Sequence, residues 1–280
     1  MSLNDENSEK MSAAATEIAA LSAEAILSGL SADNQDRKII VLDETDSTNN
    51  EAKKLAAEGA PHGTAVIADS QTSGKGRLDR SFVSPAGKGL YMSVIIRPEF
   101  DIKFAPMITS AAAVAASIAV EELCGCEVQI KWVNDLFING KKISGILTES
   151  AVNSGGKSLE YAVIGIGINI CSITEHLDEE LKLRASSIED ETGNIPDRNA
   201  LCAAVLNELD TWLGKIEDRS YITEYRQREF LTGKRITAES GGKIISGTAV
   251  GIDRNANLMV ELSNGEIINL NSGEANLLKK

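Results

Sequence analysis

Tyr161-Ala-Val-Ile-Gly-Ile-Gly-Ile-Asn-Ile170 is the stretch on which the fold turns. It is almost wholly apolar and reads as a strand covered on both faces. Two glycines inside such a strand are costly unless something must pass close to the backbone. The run lacks the third glycine of a dinucleotide fingerprint, and no helix start follows it, so a nucleotide-binding Rossmann unit fits poorly.

Upstream of it, Lys142 to Glu149, Leu136 to Ile138 and Glu127 to Trp132 read as further strands, with Asn139-Gly140 as a strong hairpin turn. Pro106 to Leu123 is a helix built from alanines, which lets it lie close against a sheet. Leu90 to Arg97, Gly63 to Ala68 and Lys38 to Leu42 complete the strands on that side. A helix from Asn49 to Glu58 is stopped by Gly59 and Pro61. Residues 13–30 carry a helical pattern, and residues 1–12 read as a polar tail. Downstream, residues 172–196 are a polar stretch with some helix, and Arg198 to Leu213 and Ser220 to Phe230 are helices. At Gly233 the texture changes to short strands and turns: Lys234 to Glu239, Lys243 to Ile252, Leu258 to Leu262 and Glu266 to Leu270. The expected architecture is α+β, a mixed sheet packed with helices, followed by a small β-barrel. The expected divisions are a tail and linker helix over 1–37, a catalytic domain over 38–231 and the barrel over 232–280.

The formal net charge of -13 repels nucleic-acid phosphates at long range, which argues against a nonspecific nucleic-acid binder. The only histidines are His62 and His176, which excludes a His-rich metal site; neither sits near a nucleophile motif. Cys124-Gly-Cys126 is too tight for the usual zinc or redox spacing. With Cys171 and Cys202 these read as reduced thiols of a cytoplasmic protein. No apolar run in the sequence reaches the roughly 18 residues of a membrane helix, and Met1 to Lys10 is not a signal peptide.

Four segments carry residue types suited to chemistry. Asp46-Ser-Thr-Asn49 opens a helix, and Thr48 with Glu51 fits a capping box. The same free N–H groups and hydroxyls also suit a polar ligand. Gln71-Thr-Ser-Gly-Lys-Gly-Arg77, with Arg80 behind it, joins glycines and cations in one loop, a combination suited to an anion with several oxygens. It is not a Walker A loop. Lys131-Trp-Val-Asn-Asp135 leads across the hairpin turn to Lys141 and Lys142, and could deliver polar side chains to a metal-nucleotide. Val163 to Asn169 is the fourth. A surface turn, an ordinary hairpin and a plain helix cap are the structural alternatives for the first three.

Taken together and in this order, the four segments resemble the biotin–protein ligase family from about Leu21 to the C-terminus. That resemblance implies the biotin–lipoate ligase fold, related to class II synthetases, with an SH3-like barrel at the end. It implies biotin as substrate, ATP and Mg2+, and two steps: formation of biotinyl-5′-AMP, then transfer to a lysine of the biotin carboxyl carrier domain of acetyl-CoA carboxylase or a related carboxylase. By the same resemblance Lys142 and Arg77 are the catalytic cations. Ser47, Thr48, Asn49, Gln71, Lys75, Gly76, Arg77, Lys142, Gly145, Gly165 and Gly167 serve biotin, the last two glycines by leaving room for it. Arg77, Arg80, Phe82, Asn134 and Asn169 serve the nucleotide, and Asp135 its magnesium. A segment near 172–188 and a mobile Gly-rich loop would seal the site.

The chain departs from the family pattern at several positions. Lys75 stands for an arginine, Asp79 for a glycine, Phe82 for a tryptophan, Val133 for a proline, and Asn271 for an arginine of some relatives. The short N-terminal segment implies a form without the DNA-binding domain many relatives carry, hence no nucleic-acid or membrane partner; a homodimer stays open. Two other functions compete: a lipoate or octanoate ligase or transferase of the same fold family, and a regulator that only senses biotinyl-AMP. An acyl-enzyme transferase needs a cysteine in the site, and none lies in the loop or beside Lys142.

Overall fold

The computed structural model describes residues 19–278 except Asp79. The first described helix, α1 (Ala23–Ser28), is shorter than the expected one, whose beginning lies outside the described residues. Strand β1 (Ile39–Thr45) leads into helix α2 (Thr48–Ala57), followed by β2 (Ala65–Gln71) and β3 (Gly89–Ile96). A 3-10 turn over Ile102–Met107 continues into helix α3 (Ile108–Cys124). Then come β4 (Gln129–Lys131), β5 (Asp135–Ile138), β6 (Lys141–Val152) and β7 (Leu159–Asn169). Short helices α4 (Glu179–Lys182) and α5 (Ile188–Thr192) precede the longer α6 (Arg198–Gly214) and α7 (Tyr221–Arg228).

These strands form one seven-stranded sheet in the order β1-β2-β3-β7-β6-β5-β4, parallel only between β1 and β2. The opening stretch is its centre. Side chains alternate across a strand, so Ile164, Ile166 and Ile168 of β7 enter the main core with α3 and α6. Val163 faces the other way, into a small cluster with Ala52 and Ala56 of α2, Val66 and Ile95. Gly165 and Gly167 share that second face. The sheet therefore carries a bare strip beside the N-terminus of α2.

Contrary to the expectation from the sequence, one run, Ile102–Cys124, is long and apolar enough, by length and composition, to cross a membrane, because the 3-10 turn extends the alanine-rich helix. It is instead packed against the sheet and α6, with Ala111 to Ala116 fully buried. Alanines permit this close approach.

The second sheet is antiparallel throughout, in the order β11-β10-β9-β8-β12: β8 (Arg235–Ser240), β9 (Lys243–Ile252), β10 (Leu258–Glu261), β11 (Ile267–Leu270) and β12 (Glu274–Leu277). The sequence pattern predicts four of these strands. The fifth, β12, pairs with β8 and brings Gly273 to Asn276 back to the large sheet.

Candidate functional site

The glycine strip is made by register. Gly145 of β6 pairs with Gly167 of β7, and Leu147 with Gly165; across β3, Ser93 pairs with Gly165. Above it stand the N-terminus of α2 and a tongue of residues 72–84. The tongue is a small hairpin, with bridges Gln71–Ser84 and Lys75–Ser81 and hydrogen bonds from Phe82 N to Gly74 O (2.8 Å) and Gly76 N to Arg80 O (2.7 Å). Gly74 is required there, because a Cβ would lie 2.7 Å from Ser84 Oγ and closer still to Phe82 O.

Two compartments result. The inner pocket, about 20 Å³, is lined by Ser47, Thr48, Asn49, Gln71, Gly165 and Gly167 among others. The outer cavity, about 210 Å³, is lined by Arg77, Arg80, Asn134, Asp135 and Lys142 among others. Lys75, Phe82, Gly145 and Leu147 line both.

The inner pocket is held by a chain of hydrogen bonds. Gln71 Oε1 accepts from the Thr48 amide (2.9 Å) and hydroxyl (3.2 Å), and Gln71 Nε2 donates to Ser84 Oγ (2.9 Å). Ser93 Oγ lies 2.8 Å from Thr48 Oγ1 and 2.6 Å from Asn49 Oδ1. Asn49 Nδ2 donates to Glu149 Oε2 (2.9 Å), and the other carboxylate oxygen, Oε1, pairs with Lys53 Nζ (2.6 Å). The expected capping box is not formed. Ser47 is the cap residue, and the Thr48 amide is satisfied by Gln71, distant in sequence, instead of by a neighbour. A local pattern cannot register such a partner.

Gly165 and Gly167 leave room for protein side chains rather than for a ligand in this state. A Cβ on Gly165 would collide with the Asn49 amide, and one on Gly167 would lie 2.6 Å from the Phe82 ring. That ring also packs edge-on against Tyr91 at 6.4 Å. A space of about 20 Å³ admits about one water, so a bicyclic ligand enters only if Phe82 and the tongue shift.

In the outer cavity every expected cation already has a protein partner. Lys142 Nζ pairs with Asp135 Oδ1 (2.7 Å). Arg77 donates to Asn134 Oδ1 (2.9 Å) and Gly273 O (2.9 Å), and Arg80 pairs with Glu274 Oε2 (2.7 Å). Lys75 Nζ donates to Asn50 Oδ1 (2.5 Å). The positive charges of Lys75, Arg77 and Arg80 on the tongue are thus each matched inside the protein. Burial pulls the Glu274 carboxyl up in pKa, but the bond from Arg80, the positive charges of Arg80 and Lys131 and a bond from Asn276 together hold it below the ordinary value.

Two cations of the cavity, Lys131 and Arg184, are not among the residues expected from the sequence. Lys131 lines the cavity and donates to Asn276 Oδ1 (2.9 Å). Burial lowers its pKa against the opposing pull of Asp135 and Glu274. The signal for it was present: it precedes Asn134 and Asp135 and pairs in register with Asp135. Arg184 arrives on a strap laid beside β6, where Lys142 N donates to Arg184 O (2.8 Å) and Ser186 N to Lys142 O (2.8 Å). Asn169 does not reach either compartment. It is buried, and its Nδ2 donates to Ser186 O (2.9 Å), so it anchors the strap that flanks Lys142.

Asp135 offers one carboxylate, already paired, and among the described residues no group of three or more His, Cys, Asp or Glu could hold a metal. This fits a magnesium ion arriving on a triphosphate, which needs only one or two carboxylates, and not a resident metal. All four cysteines are free thiols.

A model described as the biotin/lipoate A/B protein ligase family matches residues 41–169, and one described as the biotin protein ligase C terminal domain matches residues 231–278. The bifunctional ligase/repressor BirA of Bacillus subtilis is 34% identical over 253 residues, covering 88% of this chain and 76% of that protein. The chain belongs to the biotin–protein ligase family. Among other members, the biotin--[acetyl-CoA-carboxylase] ligase of Mycobacterium tuberculosis is 29% identical, covering 83% of this chain and 86% of that one. The structure of the biotin protein ligase from Aquifex aeolicus in complex with biotin and ATP superposes with a TM-score of 0.72 at 29% identity, covering 87% of this chain and 99% of that one. The mixed α+β fold and the small C-terminal antiparallel domain are those of the family.

Proposed function

We infer that this protein is an ATP-dependent biotin–protein ligase. The observation that carries the reading is the wall common to both compartments. A ring held in the inner pocket would send its carboxylate past Gly145 into a cavity lined with cations, beside Lys142. Two anions must meet there, and fixed positive charge at that point is the electrostatic requirement of the reaction.

In the first step a biotin carboxylate oxygen attacks the α-phosphorus of ATP. The bond to the β-phosphate breaks and pyrophosphate leaves. Lys142 and Arg77 stabilise the charge between the two reactants, and Arg80 and Asn134 bind the phosphates and nucleotide. Ser47, Thr48, Asn49 and Gln71 hold the biotin ring, with Lys75 and Gly76 closing over its chain. Phe82 leaves Gly167 and covers the adenylate. Asp135 would hold the magnesium carried by ATP, which would neutralise phosphate charge. In the second step the neutral amine of an acceptor lysine attacks the carbonyl carbon, AMP leaves, and the amine loses a proton. The tongue and the strap near Arg184 keep water from the mixed anhydride.

The acceptor is a biotin carboxyl carrier domain of acetyl-CoA carboxylase or a related carboxylase, and the setting is the cytoplasm. Residues 38–231 form the catalytic unit and 232–280 the SH3-like barrel. With an acidic chain, a ligase acting without a nucleic-acid partner is the preferred form. Incubation with biotin, MgATP and an apo carrier domain, read by streptavidin blotting, tests the assignment.

A further inference from the structure

Glu149 and Lys53 lie outside the inner pocket, yet they govern the direction of the hydrogen bonds that line it. An ionised carboxylate only accepts hydrogen bonds. Glu149 takes one from Lys53 Nζ and one from Asn49 Nδ2, so the Asn49 amide must turn its NH2 toward Glu149. Its Oδ1 then faces Ser93 Oγ at 2.6 Å. An amide oxygen cannot donate, so the single Ser93 proton goes to Asn49. Ser93 is fully buried. The shorter contact, to Asn49 at 2.6 Å, takes that proton ahead of the 2.8 Å contact to Thr48 Oγ1. The Thr48 proton is turned to Ser93 or to Gln71 Oε1. The chain runs Thr48, Ser93, Asn49, Glu149, and it leaves a lone pair of Thr48 Oγ1 for the pocket.

We propose that the Glu149–Lys53 pair acts as a positioning pair that fixes the Asn49 amide and so keeps Thr48 Oγ1 a hydrogen-bond acceptor for an N–H group of the ligand ring. This deepens the biotin reading of the pocket and rests on it: a cyclic urea presents such N–H groups. With the Glu149 acceptor gone, Asn49 Nδ2 keeps only its long contact to Leu147 O (3.4 Å), and the amide can rotate. Its NH2 then faces Ser93, and Ser93 donates to Thr48 Oγ1 and competes with the ligand.

Two near-isosteric variants separate this from a merely structural role. Both Glu149→Gln and Glu149→Met remove the charge, and only Gln keeps an oxygen that accepts from Asn49. Biotin binding to the full chain is measured by calorimetry, KM and kcat are measured for both substrates, and thermal melts compare folding. Glu149→Met is expected to weaken biotin binding about tenfold, the scale of one misdirected hydrogen bond. Its kcat at saturating biotin and its KM for ATP stay unchanged, and Glu149→Gln stays near the unaltered protein. Unchanged biotin affinity in Glu149→Met, equal losses in both variants, or a parallel fall in kcat overturns the proposal. Failure of the unaltered chain to bind biotin would overturn the biotin reading itself, and the proposal with it.

Discussion

The two compartments of the site share a wall but solve opposite problems. The inner pocket is nearly filled, its polar groups are neutral hydroxyls and amides apart from Lys75 at the wall it shares, and its hydrogen bonds close on one another from Gln71 to Glu149. The outer cavity is open and cationic, and each of its cations leans on a partner that a substrate can replace: Asp135 for Lys142, Gly273 O and Asn134 for Arg77, Glu274 for Arg80. Neutral recognition depends on the direction of short hydrogen bonds and gains from a rigid frame. Phosphate recognition depends on charge, which acts over longer distances and tolerates exchange of partners. The comparison predicts that outer-cavity substitutions strike the chemical step or the retention of its product, while inner-pocket substitutions strike the affinity for one substrate.

The largest effect belongs to the outer cavity. Lys142→Ala removes the cation at the meeting point and leaves the Asp135 carboxylate unpaired beside the phosphates. Biotin-dependent pyrophosphate release should fall by about 10²–10³ with the thermal melt little changed. A variant of near-normal rate would move the catalytic charge elsewhere, to Arg77 first.

Arg77→Gly should act on retention. It removes the contacts that tie the tongue to Asn134 and to the barrel. The adenylate then escapes, and lysines of unrelated bystander proteins become labelled. Streptavidin blotting of a mixture of carrier and bystander is the test. Labelling confined to the carrier domain would show that Arg77 does not seal the site.

The smallest effect belongs to the inner pocket. Thr48→Val keeps the shape and removes one acceptor, so KM for biotin should rise about tenfold while KM for ATP and kcat stay in place. A change in kcat instead would erase the distinction between the two compartments.

Much of this was legible in the sequence, for identifiable reasons. The hairpin signal at Asn139-Gly140 fixes the register that sets Phe137 against Lys142 and carries that lysine to the cavity, while the bulge that then sets Asp135 against Gly145 has no such signal. The two glycines of β7 announce a close approach, although the sequence cannot say that Asn49 and Phe82 are what approach. What stayed hidden depends on distant partners. Thr48 looks like a cap because the chain around it resembles one, and only the fold brings Gln71 to its amide. Strand β12 has little strand pattern of its own and exists through pairing with β8. Arg184 sits in a polar stretch, and its place follows from the backbone bonds of Lys142. Asn169 looks like a ligand group beside Gly167, but it faces the strap.

The central claim is that a ring in the neutral pocket delivers its carboxylate to the cationic one, and that the product passes to a lysine. The direct measurement is transfer to an apo carrier domain with MgATP and either biotin or lipoate, followed by mass spectrometry of the carrier and of its variant lacking the acceptor lysine. The account predicts ATP-dependent modification by biotin, none by lipoate at equal concentration, and none on the variant. Modification by lipoate and not by biotin would contradict it.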